Sequence, residues 1–202
     1  MVIKPYTTIK QLAIILLLLL SSYISKSQEE GTFIDERDST EYKWIMIGDQ
    51  VWTAQNLTYL PSISCPEDGS RHEPFYYVYD YKGITVSKAK ATSKYDKYGI
   101  LYNWVASKTA CPKGWHLPCD EEWKILELHL GMSPAFVEDE YWRESGGVGK
   151  KIKSTSTWAG GGIGDNSSGF NALRSGTRYF NGFFQVYGYN TEFWTSTPVG
   201  LW

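Results

Sequence analysis

The apolar residues of the chain fall in short groups whose spacing changes along its length. Within residues 43–57, Trp44, Met46 and Val51 mark two strand-like segments, and Gly48, Asp49 and Gln50 supply a turn. That pattern predicts a hairpin. Residues 75–81 (Phe-Tyr-Tyr-Val-Tyr-Asp-Tyr) predict an aromatic strand. Residues 101–107 predict a short helix with Leu101, Trp104 and Val105 on one face. Over residues 120–130, Trp123, Leu126 and Leu130 recur at helical spacing, and Gly131 supplies a stop. Asp120, Glu121 and Glu122 suit the positive N-terminal end of that helix. Glu122 stands three residues after Cys119, the spacing of a capping box in which Cys is a weaker cap than Ser or Thr.

Beyond residue 146 the pattern becomes short strands broken by glycine. Residues 160–164 are nearly all glycine, 169–188 alternate rings with small residues, and 193–197 predict a late strand. Residues 60–74 and 82–96 read as loops, and the lysines at 82, 88, 90 and 94 as a solvated face. The expected fold is α+β: two short helices, a small twisted antiparallel sheet and long loops, with no doubly wound sheet.

The N-terminus reads as an export signal over residues 1–27. Lys4 and Lys10 precede an apolar run at 12–20, and Ser25-Lys26-Ser27 places small residues before a cut at Gln28. The run is shorter than the roughly 20 residues that span a bilayer, so no span is expected after cleavage. Residues 28–42, polar and acidic, read as a lead-in segment, and 43–202 as one domain. Loss of the signal leaves 17 basic and 22 acidic residues, a net charge of −5. An acidic domain without a basic cluster is a poor partner for nucleic acid, whose affinity depends on neutralising phosphates. The 9 Trp, 15 Tyr and 8 Phe are read mainly as core rings in a loop-rich fold, with a minority exposed for stacking.

Five segments in order carry a resemblance. They are residues 47–57 (Ile-Gly-Asp-Gln-Val-Trp-Thr-Ala-Gln-Asn-Leu), 99–104 (Gly-Ile-Leu-Tyr-Asn-Trp), 111–123 (Cys-Pro-Lys-Gly-Trp-His-Leu-Pro-Cys-Asp-Glu-Glu-Trp), 169–173 (Gly-Phe-Asn-Ala-Leu) and 193–197 (Phe-Trp-Thr-Ser-Thr). The chain resembles the Fibrobacter succinogenes major paralogous domain family, found in exported proteins of Fibrobacter and Bacteroidetes-type bacteria. The resemblance covers roughly residues 31–202. It implies a fold like that of C-type lectins and the formylglycine-generating enzyme, and no generally established activity. Family members usually continue to a Cys-containing closing strand; here that strand is expected to be missing. By resemblance, Cys111 would pair with the Cys of that strand.

The three cysteines of an exported chain suggest disulfides, with one left over. A Cys65–Cys119 pair is the expectation, with Cys65–Cys111 competing. Cys111, His116 and Cys119 have a C-x4-H-x2-C spacing, but zinc wants four converging ligands and no second cluster supplies them. No metal or cofactor is expected. The best nucleophile–base pair is Cys119, at a helix N-terminus, with His116. It has no visible third member. The loop 164–169 offers oxygens for calcium but few carboxylates, and reads better as Asn and Ser turn bonding.

The expected function is an exported, non-catalytic surface or secreted module for glycan or envelope-protein ligands. The expected binding surface comprises Trp158, Asp165, Asn166, Arg174, Tyr179 and Tyr187. The alternatives are an enzyme distantly like the formylglycine-generating group, through Cys119 and His116, and a degenerate structural paralogue without a ligand.

Overall fold

A computed structural model describes residues 28–139, 143–156 and 158–198. The export signal expected at 1–27 lies outside the described residues. Three strands open the fold: β1 (Glu30–Asp35), β2 (Thr40–Ile47) and β3 (Gln50–Thr53), an antiparallel sheet in the order β1-β2-β3. β2 and β3 are the expected hairpin, with Trp44 opposite Thr53 and Ile47 opposite Gln50. The segment read as a lead-in is instead mostly strand. β1 alternates exposed and half-buried positions, a pattern that looks polar in sequence. Phe33 on β1 lies 4.4 Å from the Trp115 ring and 5.5 Å from the Tyr42 ring.

Six helices occur among the described residues, where two were expected: α1 (Val86–Lys90), α2 (Ser93–Tyr98), α3 (Trp104–Ala110), α4 (Asp120–His129), α5 (Pro134–Val137) and α6 (Val148–Ile152). α1 and α2 occupy the lysine-rich stretch read as a loop. Ala89 and Tyr98 are their buried residues. The Thr92 hydroxyl accepts the Tyr95 N–H at 3.2 Å and so starts α2. α2 ends at Gly99, whose φ is +70°. A Cβ there would stand 2.5 Å from the Leu57 carbonyl oxygen, so only glycine lets the two segments approach. α3 begins at Asn103, whose side-chain oxygen accepts the Ala106 N–H at 3.0 Å and the Phe75 N–H at 2.9 Å.

The remaining strands are pairs: β4 (Tyr76–Tyr77) with β5 (Leu101–Tyr102), and β6 (Thr177–Arg178) with β7 (Phe184–Gln185), both antiparallel. The aromatic strand expected at 75–81 is thus only two residues long. The expected strand at 193–197 has no regular pairing among the described residues; its backbone is held by Ser196 N–H on the Pro118 carbonyl and by Trp104 Nε1 on the Thr195 carbonyl, both at 2.9 Å. The architecture is mixed α and β with small antiparallel sheets.

Two apolar clusters hold it. One joins Ile45 and Ile47 of β2 to Leu126 and Leu130 of α4, with Met132, Val137, Val148 and Phe170. Trp52 and Trp123 pack against it. The predicted face of α4 is therefore the buried one. The other gathers Leu60, Val78, Ala89 and Ile100 under the rings of Tyr76, Tyr95 and Tyr102. No helix among the described residues is long and apolar enough to cross a membrane.

Candidate functional site

β3 forms one wall of a cavity of about 710 Å³. The segment 114–118 and the start of α4 form the opposite wall, and Phe170, Phe193 and Trp194 add rings. Trp52 and Trp123 meet at 4.8 Å between ring centres, Trp123 and Phe193 at 5.6 Å, and Phe170 and Phe193 edge-on at 5.5 Å. Offset and edge-on contacts of this kind are the favoured aromatic geometries. Gln50 bridges the two walls: its Nε2 donates to the Glu122 carbonyl at 3.0 Å, and its Oε1 accepts from Trp52 Nε1 at 3.3 Å.

Among the described residues, the β3 edge that faces away from β2 has no strand partner. In an antiparallel ladder the residues take turns in bonding to one neighbour. Met46 N–H bonds toward β1, to the Glu29 carbonyl at 2.8 Å, whereas Ala54 N–H bonds to the Lys43 carbonyl at 2.9 Å. With Met46 opposite Val51 and Ile45 opposite Trp52, alternation turns the Val51 and Thr53 N–H and C=O groups outward. Both residues line the cavity.

On the opposite wall, His116 Nε2 lies 2.7 Å from Glu122 Oε1. Glu122 Oε2 accepts the Cys119 N–H at 2.8 Å. Burial pulls the Glu122 carboxyl up, but the Cys119 N–H and His116 outweigh it and hold the group below the usual glutamate value. The imidazole thus serves Glu122 at the helix start. Cys111 also lines the cavity, where burial pushes its thiol up.

All three cysteines are free, so the expected Cys65–Cys119 bond is not formed. Cys65 sits in a surface loop and donates to Glu67 Oε2 at 2.6 Å, while Cys119 is committed to the N-cap of α4. Among the described residues no three His, Cys, Asp or Glu side chains gather to hold a metal.

The six residues expected to bind ligand do not form one surface. Trp158 is a core ring, 2 % exposed, with Nε1 donating to the Ser154 carbonyl at 3.2 Å. Asp165 and Asn166 fasten a turn against α6: Asp165 Oδ1 accepts the Ser167 N–H at 2.9 Å, and Asn166 Oδ1 accepts the Asn171 N–H at 2.7 Å. Tyr179 is exposed beside the β6–β7 turn. Arg174 and Tyr187 alone come together, around Tyr98. The aromatic cavity was missed because its walls are far apart in sequence, although both lie in conspicuous motifs.

No curated protein and no solved structure matches the chain. The profile of the Fibrobacter succinogenes major domain matches residues 45–201, and that span takes in β3, the segment 111–123 and every ring of the cavity. The chain belongs to the Fibrobacter succinogenes major domain family.

Proposed function

We propose that the chain is an exported, non-catalytic binding module, secreted or held in the cell envelope, that takes an extended polypeptide segment into its aromatic cavity. One observation carries this reading: the outward N–H and C=O groups of Val51 and Thr53 run along the cavity. A bare strand edge is a template for another strand, and strand addition supplies main-chain hydrogen bonds while neighbouring pockets select side chains. Trp52, Trp115 and Trp194 line the cavity and would offer rings to the side chains of such a segment. A closing strand of the kind that the family resemblance implies would compete for the same edge. A partner's segment and such a strand share one chemistry.

A glycan is the second reading, favoured by rings set beside Gln50, Asn171 and Glu122 in the same cavity. The enzymatic alternative would need His116 as a base for Cys119, and the contact that His116 makes is with Glu122. A paralogue without a ligand would leave the cavity unused.

A displayed library of extended peptides, panned on the full chain, tests the proposal. Val51→Pro with Thr53→Pro removes the two outward donors from an edge position where proline is tolerated. Peptides selected on the native chain should lose binding to this double variant at unchanged melting temperature. Peptides drawn from the closing strands of family members, added separately, distinguish an internal strand from a partner's. If no peptide is selected while a neutral glycan array gives binders that compete with alkylation of Cys111, the polypeptide reading fails.

A further inference from the structure

Around Tyr98 and Tyr187 the chain gathers more positive than negative charge. Residues 82–97 carry five lysines and one acid, Asp96, against a net negative chain. Lys94 Nζ lies 3.2 Å from the centre of the Tyr187 ring. The Tyr98 and Tyr187 hydroxyls are 3.0 Å apart. Arg174 reaches the same point from the loop before β6, with its guanidinium against Tyr98 and 3.9 Å from where a Cβ on Gly188 would stand. Its Nε is buried and has no hydrogen-bond partner among the described residues. Among the described residues neither Arg174 nor Lys94 forms an ion pair, although eight such contacts occur elsewhere.

A buried donor without an acceptor costs about 1–3 kcal/mol, and a planar guanidinium fork matches the oxygens of a carboxylate or sulfate. The two hydroxyls bond to each other and leave one O–H free to donate; with the Lys94 ammonium beside that fork, it completes a set of donors for one oxyanion. Tyr189, two residues beyond Tyr187, is exposed and offers a ring face on which the apolar face of a sugar can stack.

We propose that Arg174, Lys94, Tyr98 and Tyr187 form a binding site for the carboxylate or sulfate group of an acidic polysaccharide. The site lies outside the aromatic cavity, none of whose lining residues it shares. Its ligand is held by charge-assisted hydrogen bonds, so binding weakens as salt screens the exposed part of the attraction.

The test measures binding of the full chain to polygalacturonate, dextran sulfate, neutral dextran and polyglutamate. The two acidic polysaccharides should bind and neutral dextran should not. Arg174→Gln should weaken binding about tenfold. Lys94→Met, on a partly exposed helix position, should give a loss of similar size without disturbing the packing of Arg174. The Val51→Pro, Thr53→Pro variant should bind the acidic polysaccharides as the native chain does, which separates this site from the strand-accepting edge. Unchanged affinity in both the Arg174 and Lys94 variants would overturn the assignment. Polyglutamate bound as tightly as polygalacturonate would overturn the saccharide and point to an acidic peptide.

Discussion

The Asp35 carboxylate, at the end of β1, is clasped by Arg37 through Nε at 2.9 Å and Nη2 at 2.7 Å. Arg37 Nη2 also donates to the Ala110 carbonyl at the end of α3, at 2.8 Å, and its guanidinium lies 3.8 Å from the Tyr59 ring centre. One side chain therefore ties the first strand to a helix 73 residues away. Asp35 is almost wholly buried. Asp35→Asn keeps the shape but leaves the Arg37 charge without its partner, and should cost about 2 kcal/mol of stability, read from urea denaturation near neutral pH. The hydrogen bonds from Arg37 hold the Asp35 carboxyl below its ordinary value, against the opposing effect of burial. Its contribution is therefore present above about pH 4 and is lost as pH falls through the depressed folded value. The gap between native chain and variant should narrow in acid. A gap that widened in acid would contradict the ion pair.

Glu122 caps α4 from inside the helix, so Glu122→Ala should destabilise the chain by about 1 kcal/mol. Most of that belongs to the Cys119 N–H, because His116 is largely exposed and an exposed ion pair contributes little. The Glu122 carboxyl is held below its usual value. Its contribution is present above about pH 4.3 and fades as pH falls through the folded value. His116→Ala should reproduce only a small part of the loss. A His116 variant as damaging as Glu122→Ala would place the burden on the imidazole instead.

The helix α4 and the β2–β3 hairpin were legible because each combines a periodic apolar face with local punctuation. Trp123, Leu126 and Leu130 recur at helical spacing behind three acids, and Gly48 adopts φ +62° in the hairpin turn. β1 was not legible, because a strand with one face exposed and only six residues long looks like a polar leader. α1 and α2 were hidden for a related reason. Their lysines dominate the composition, while Ala89 and Tyr98, the residues they bury, are too few to show a period. Trp158 was misplaced because a tryptophan within a glycine-rich stretch reads equally as a stacking platform or a core ring; contacts from distant segments decide between them. The cavity depends on Gln50 meeting Glu122 across 72 residues, a closure that no local pattern encodes. Arg174 and Tyr187 were reachable as polar and aromatic loop residues, but their partners Lys94 and Tyr98 sit on the helix that was read as loop.

Three free thiols carry a mass prediction. Alkylation of the denatured chain without reductant should add three groups. In the folded chain Cys111 should react slowly at neutral pH, because burial raises its thiol and little thiolate is present. Peptide occupancy of the cavity should slow it further, since Cys111 lines the wall. Fewer than three groups on the denatured chain would reveal a disulfide and overturn the free-thiol arrangement.

The Tyr98–Tyr187 pair should lose its protons in two well-separated steps. Burial pushes the Tyr98 phenol up to about 12, whereas Lys94 beside Tyr187 holds that phenol below the ordinary tyrosine value. The hydroxyls share a hydrogen bond, so the first step belongs to the pair: one negative charge forms beside Lys94 and the remaining proton bridges the oxygens. For Tyr98 the folded value lies above the unfolded one. Its contribution to stability is complete below about pH 10 and is lost as pH rises toward the folded value. For Tyr187 the order is reversed, and its contribution grows as pH rises through its depressed value toward about 10. Tyrosinate absorbance during an alkaline titration should therefore show one phenol ionising early, and Tyr187→Phe should abolish that early step. Lys94→Met should move the early step upward while leaving the late one near its place. An early step that survives Tyr187→Phe would assign the low value to another phenol and remove Lys94 from its role.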